Sequence, residues 1–235
     1  MRVLVFLLVA ALATLAARLL DPDDTLEALA TTAPGAVETV APEAAPGGVS
    51  DEAEASDGAR AKAGSPVYTI IDMMPYAVRG RTADDLLGAM VQGGPRAHGT
   101  TYFGLTVTQV EFRYMRRPGT AGCALDDVRI DLGVVIHLPE WVDQTRDAPF
   151  EVRREWPRFT RALRHHEDGH RAIAERGAVR TFEALSALRT PDCSTMDAAA
   201  RALAQQVAAE TDREQERYDA RTGHGRTQGA VWPPR

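Results

Sequence analysis

Between Leu163 and Ile173 the chain reads LRHHEDGHRAI, and within it His166, Glu167 and His170 have the spacing His-Glu-x-x-His. On an α-helix two histidines four residues apart lie on one side, a turn apart, where both imidazoles can grip a single metal ion. Glu167 follows the first histidine directly, so its carboxylate reaches water beside a metal rather than the metal, the position of a general base. His165 stands outside this pair, because the residue four positions on is Gly169. Asp168 is expected to face away, either solvated or accepting a histidine N–H. Gly169 costs helix stability relative to alanine, and a close approach by backbone or substrate would account for it.

A catalytic zinc takes three protein ligands and keeps one position open. Glu175 and Glu183 share the helix with His170 but lie about 7 and 20 Å further along it, so neither bends back while the helix continues. The third ligand must come from beyond the break at Pro191. If a second helix returns antiparallel about residue 192, His170 and His166 lie level with about 214 and 218. That brings EQERYDARTGHG to the site and makes Glu214, Tyr218, Asp219 and His224 the candidates. Glu214 is the geometric favourite of a simple hairpin and would complete a two-His-one-Glu set. Asp219 is either a ligand or the group that orients one of the histidines. Tyr218 could donate a hydrogen bond to a developing oxyanion, and Glu216 and Arg217 belong to a solvated face.

The elements that must hold these residues are legible from periodicity. Trp156, Phe159, Leu163, His166, His170, Ile173 and Gly177 recur at steps of three and four, one stripe of a helix that continues through Phe182, Leu185 and Leu188. Ser194 with Asp197 resembles a capping box, and a second helix runs to about Ala220 with Leu203 and Val207 on its apolar side. Upstream, Thr106, Thr108, Val110, Phe112 and Tyr114 alternate along one strand, and Val128 to Leu138 alternate along another after the turn RRPGTAG. VYTIIDMMPYAVRG reads as a strand pair or a bent strand, and Thr82 caps a short helix with Asp84 and Asp85 in its first turn. The expected fold is α+β: an antiparallel sheet with one wet face, packed against long helices, the His-Glu-x-x-His helix followed by an antiparallel C-terminal helix as in zincins.

The 235 residues carry a net charge of -6, and no basic stripe offsets it, which excludes a nucleic-acid partner. Met1 and Arg2 precede fifteen residues, Val3 to Ala17, in which only Thr14 is polar. Residues 1–20 therefore read as a signal peptide, or as a membrane anchor if residues 3–20 span with Arg18 snorkelling. Residues 21–66 are Ala, Pro, Gly and acidic residues with almost nothing large and apolar, a disordered linker spanning about 35–40 Å. The folded domain is expected over 67–235. Cys123 and Cys193 agree with export, since an oxidising compartment allows them to pair.

HHEDGH, followed after a cysteine by YDARTGHGRTQGA, resembles the bacterial predicted secreted zinc-dependent proteases catalogued as domain of unknown function 922. The likeness extends upstream to YAVRG, Gly94-Pro95, the cysteine at 123 before a strand, and LPEW, covering roughly Val67 to Ala230. Tyr102 to Val107 departs from it, with no tryptophan after a threonine. The resemblance implies a secreted or envelope zinc metallopeptidase with one Zn2+ per chain. His224 lies in its TGHG segment, and with imidazole a natural zinc ligand it is the preferred third ligand over Glu214 and Asp219. The expected reaction is peptide hydrolysis by zinc-activated water with Glu167 as base, in a periplasmic or secreted protein whose partner is a protein or peptide substrate. An edge strand near Val128 to Leu138 would hold that peptide by strand addition. The same residues also suit a non-catalytic, zinc-stabilised envelope binding module, or a metal-dependent cell-wall amidase.

Overall fold

The computed structural model describes residues 3–7, 66–144 and 147–234. Within the leader expected over 1–20, Val3–Leu7 form a strand, and the remainder lies outside the described residues, as does the linker expected over 21–66 except for Pro66. No helix among the described residues is long and apolar enough to cross a membrane.

Among the described residues the fold is mixed α/β, with one main sheet and three α-helices. In chain order the elements are β1 (Val3–Leu7), β2 (Val67–Val78), α1 (Ala83–Gly93), β3 (Arg96–Ala97), β4 (Thr100–Thr101), β5 (Leu105–Gly119), β6 (Gly122–Trp141), α2 (Phe150–Ala187), β7 (Arg189–Thr190) and α3 (Met196–Thr222). A 3-10 turn, Arg226–Gln228, follows α3. The main sheet has the order β1-β5-β6-β2, with β7 pairing the start of β6.

Alternation in β5 and β6 sends Phe112, Tyr114, Ile130, Leu132, Val134 and Ile136 inward, all nearly solvent-free. They pack on Ala174, Ala178 and Leu185 of α2 and on Met196, Ala200 and Ala204 of α3. Each large apolar side chain so buried contributes about 1.5–3 kcal/mol. The opposite face is mixed, with Asp131 paired to both Arg113 and Arg129 and with Ile70, Met74 and Val107 exposed. A second cluster joins Val78, Leu86 and Met90 to Trp141, Trp156, Phe159, Leu163 and Trp232. Thr82 caps α1 in a capping box with Asp85, as its sequence predicts.

The sheet departs from expectation in direction. β5 and β6 form the antiparallel hairpin, but β2 is a single continuous strand that runs parallel to β6 along Val67–Val78. Alternation reports which face is buried, not which way a strand runs, and the α1 crossover lets β2 enter in either direction. Flanked by β5 and β2, β6 is internal, so Val128 to Leu138 offers no free edge. β6 also extends past Pro139 to Trp141, and α2 begins only at Phe150. Just before α3, Asp192 Oδ1 accepts from the backbone N–H groups of Ser194 and Thr195, and the N-cap residue Thr195 makes no side-chain capping bond. Asp197, expected in a capping box with Ser194, instead accepts from the Tyr114 hydroxyl at 3.0 Å. Cys123 and Cys193 are joined, tying the start of β6 to the α2–α3 connection.

Candidate metal centre

The site lies on α2 between the two apolar clusters, where Leu163 belongs to one and Ala174 to the other. Helix α3 runs back antiparallel along α2 at close range because glycines face it. At Gly169 a Cβ would stand 2.1 Å from the Tyr218 hydroxyl, and at Gly177 one would stand 2.6 Å from Thr211 Oγ1. The approach invoked for Gly169 is thus made by the tyrosine of α3. Gly223, in the left-handed region at φ 56°, ends α3 with the N–H of His224 bonded to the Asp219 carbonyl.

This register sets Asp219 opposite the two histidines. Its Oδ1 lies 2.9 Å from His170 Nε2 and 3.2 Å from His166 Nε2, and the two Nε2 atoms are 3.2 Å apart. The other ring nitrogens are already engaged. His166 Nδ1–H donates to Gln228 Oε1 at 3.0 Å and His170 Nδ1–H to Gln215 Oε1 at 2.7 Å. Gln215 is held in turn by donating to the His170 carbonyl. With Nδ1 carrying the proton, each neutral ring turns its Nε2 lone pair on the carboxylate, so three electron-pair donors converge. A proton satisfies one such pair at a time, whereas a cation satisfies all three. His166, His170 and Asp219 can therefore hold a metal ion, their ligand atoms all lying within 4.8 Å of one another.

The electrostatics follow from burial and this crowding. Burial opposes ionisation of Asp219, but hydrogen bonds from His166 and His170 outweigh it and hold the carboxyl far below the usual range. Burial likewise opposes charge on His170, while the hydrogen bond and charge of Asp219 override it and leave the imidazole above its ordinary value. Glu167 is 3% exposed, and burial pushes its carboxyl up against the lowering influence of His170, the Thr106 hydroxyl and His166. The Thr106 hydroxyl donates to Glu167 Oε2 at 2.8 Å. The other oxygen, Oε1, faces Gly104, where a Cβ would stand 2.6 Å from it. All of these groups border one cavity of about 250 Å³ between β5, α2 and α3.

Of the residues singled out by sequence, the structure gathers His166, Glu167, His170 and Asp219. It does not gather Glu214, and His224 borders the same cavity without joining the three converging donors. His224, in the left-handed region at φ 54° beyond the end of α3, is half exposed, with Nδ1 3.6 Å from the far oxygen of Asp219. Glu214 pairs with Arg180 at 3.1 Å. Tyr218 stacks on His166 with ring centroids 5.1 Å apart, and its hydroxyl donates to the His166 carbonyl and accepts from Gln228 Nε2. That hydroxyl is thus spent on positioning rather than aimed at a substrate. Asp168 is an outward carboxylate between Arg164 and Arg171. Sequence reasoning missed Thr106, Gln215 and Gln228. Gln215 could have been found, since it lies level with His170 in the helical hairpin.

The family model described as "Bacterial protein of unknown function (DUF922)" matches residues 73–225. No curated protein matches the chain, and no solved structure matches it.

Proposed function

The chain belongs to the bacterial family of unknown function DUF922, and we propose that it is an exported, zinc-dependent peptidase with a zincin-like site. The observation that carries this reading is the convergence of His166 Nε2, His170 Nε2 and Asp219 Oδ1 beside a buried glutamate. Imidazole and carboxylate are natural zinc donors, and three donors rather than four support an open position. Zinc held there supplies Lewis acidity, acidifying water and polarising a peptide carbonyl.

The chain's own residues do the rest. Gln215 and Gln228 fix the rings so that Nε2 is presented. Glu167 takes a proton from water at Oε1, the oxygen that Gly104 leaves free, while Thr106 anchors Oε2. A carboxyl raised by burial is suited to this, because it also returns the proton. Water thus adds hydroxyl to the carbonyl carbon, the C–N bond breaks, and Glu167 delivers the proton to the leaving nitrogen. The substrate main chain lies along the β5 edge at Leu105–Gln109, outside the stretch of β5 that β1 pairs. The apolar residues 3–17 and the disulfide support export to the periplasm or beyond.

The experiment is metal analysis of the full chain, with peptide-library hydrolysis by wild type and by Glu167→Gln. The expectation is one zinc per chain and cleavage abolished in Glu167→Gln with zinc retained. Asp219→Ala should lose zinc and His224→Ala should keep it. Folded wild type with no zinc affinity overturns the reading. Zinc without cleavage of any library peptide turns it toward an envelope binding module.

A further inference from the structure

Asp212 borders the same cavity as the metal donors, from the face of α3 that also carries Gln215 and Asp219. The contacts of His170 with Gln215 and of Gly177 with Thr211 bracket it, which sets it level with about Ala174 on α2. It is partly buried, and among the described residues no hydrogen bond or ion pair engages it. Carboxylates near it on the two helices are matched: Glu214 is held by Arg180, Asp219 by the two histidines, and Asp168 by Arg164 and Arg171. Burial and the charge of Glu216 push the Asp212 carboxyl up, and Arg213 only partly offsets them. A carboxylate that has lost water without gaining a partner is unfavourable, and a cation brought into the cavity relieves it.

The rest of the lining selects the cation. Among the described residues that border the cavity there is no lysine or arginine, and Glu167, Asp219 and Asp212 are its carboxylates. Ala208 lies one turn from Asp212 on α3 and Ala174 level with it on α2, so an aliphatic stem packs beside the carboxylate. Asp212 stands two turns before Asp219 on α3, about 10 Å along the axis. With a peptide carbonyl at the metal donors, the nitrogen of the same residue lies within about 2.5 Å of the carbonyl carbon, so a free α-ammonium falls far short of Asp212. The Cα atoms on either side of the bond lie about 1.5–2.5 Å from that carbon. A lysine or arginine side chain reaches about 6–7 Å further, and a charge-assisted hydrogen bond of about 2.8 Å covers the remainder. The separation is therefore that of a basic side chain extended along the cavity from a residue at the bond.

We propose that Asp212 is the specificity-determining residue of this site, accepting the ammonium or guanidinium of a lysine or arginine beside the bond to be cut. This rests on the hydrolase reading for the cut, and not for the binding. The full chain carrying Glu167→Gln, which leaves peptides intact, would be titrated calorimetrically with and without zinc. The probes are capped alanine hexapeptides with Lys, Arg, Met or Glu at the third position, and zinc-loaded wild type is given the same set for cleavage. The Lys and Arg peptides should bind about 10- to 100-fold more tightly than the Met peptide, and the Glu peptide most weakly. Asp212→Asn in that background should bring Lys, Arg and Met within about threefold of one another. Asp212→Arg should favour Glu, with zinc content unchanged in both, which also reports that each variant folds. Wild type should cut beside Lys or Arg. Equal affinity for the Lys and Met peptides, or a preference that survives Asp212→Asn, overturns the proposal. Cleavage that ignores the third residue also overturns it and leaves the hydrolase reading standing. A preference that depends on Asp212, without cleavage of these or of any library peptide, overturns the hydrolase reading and supports the role of Asp212.

Discussion

Replacing Gly169 by alanine ought to stabilise a solvent-facing helix by about 1 kcal/mol; here the structure requires the opposite sign. The new Cβ would lie 2.1 Å from the Tyr218 hydroxyl and 2.3 Å from its Cζ. The ring cannot swing freely, since it stacks on His166 at 5.1 Å and meets His170 edge-on at 5.0 Å. Moving it breaks the bond to the His166 carbonyl and the bond from Gln228, at about 1 kcal/mol each. Overpacking adds about 1–3 kcal/mol. Set against the helix gain, the net cost is about 2–4 kcal/mol. Because Gln228 also fixes the His166 ring, zinc affinity should fall by about 10- to 100-fold. Urea unfolding and zinc titration of Gly169→Ala measure both. The sharper control is Tyr218→Ala: in that background the clash is gone, and Gly169→Ala should become stabilising. A Gly169→Ala protein more stable than wild type, or a change of the same sign and size in both backgrounds, would refute the packing argument.

Gly104→Ala presses on Glu167 Oε1 and touches none of the metal donors, so it should keep zinc affinity within a few-fold while hydrolysis drops by about 100-fold or more; equal losses of both would contradict the assigned role. Cys123→Ser with Cys193→Ser opens a link across 70 residues and should cost about 4 kcal/mol in denaturant unfolding. The metal-free protein should respond to pH through two groups of opposite sense. The raised His170 contributes stability that is complete below about 6.5 and is lost as pH rises through its folded value, whereas Asp219 contributes stability lost as pH falls through its depressed one. Zinc must displace the His170 proton, so the rise in Tm from a fixed zinc excess should grow between about pH 5 and pH 8; a flat profile counts against it.

The parts of the site that periodicity encodes were legible in the chain. A helix stripe placed His166 and His170 together with Glu167 beside them, and a helical hairpin brought the region around residue 218 to meet them. Choosing within that region was beyond it, because one residue of slip turns an α-helix by about 100° and exchanges Glu214 for Gln215 on the inner face. The chemical preference for imidazole then favoured His224, whose backbone has already left the helix. Strand direction was equally silent, since β2 shows the same alternation whether it runs parallel or antiparallel to β6. Gln215 and Gln228 carry no motif. Their importance comes only from standing where a histidine N–H needs an acceptor.

What sets the donor geometry lies largely outside the donors. Helix α3 is pinned at its start by the disulfide to β6. At its other end Gly223 turns the chain into the 3-10 segment that carries Gln228, and Trp232 then buries itself against Trp156 and Phe159 on α2. The segment holding Asp219 is therefore fixed from both sides, with Gly169 and Gly177 letting it lie close to α2 between. Groups held this way lose little freedom when they take up a ligand, so less of the binding energy is consumed in ordering them. The same two anchors hold one wall of the cavity, since Ala204 and Ala208 belong to the helix that carries Asp219. Asp219 and this wall of the cavity are accordingly carried by one anchored helix, and a change that tilts α3 must alter both together.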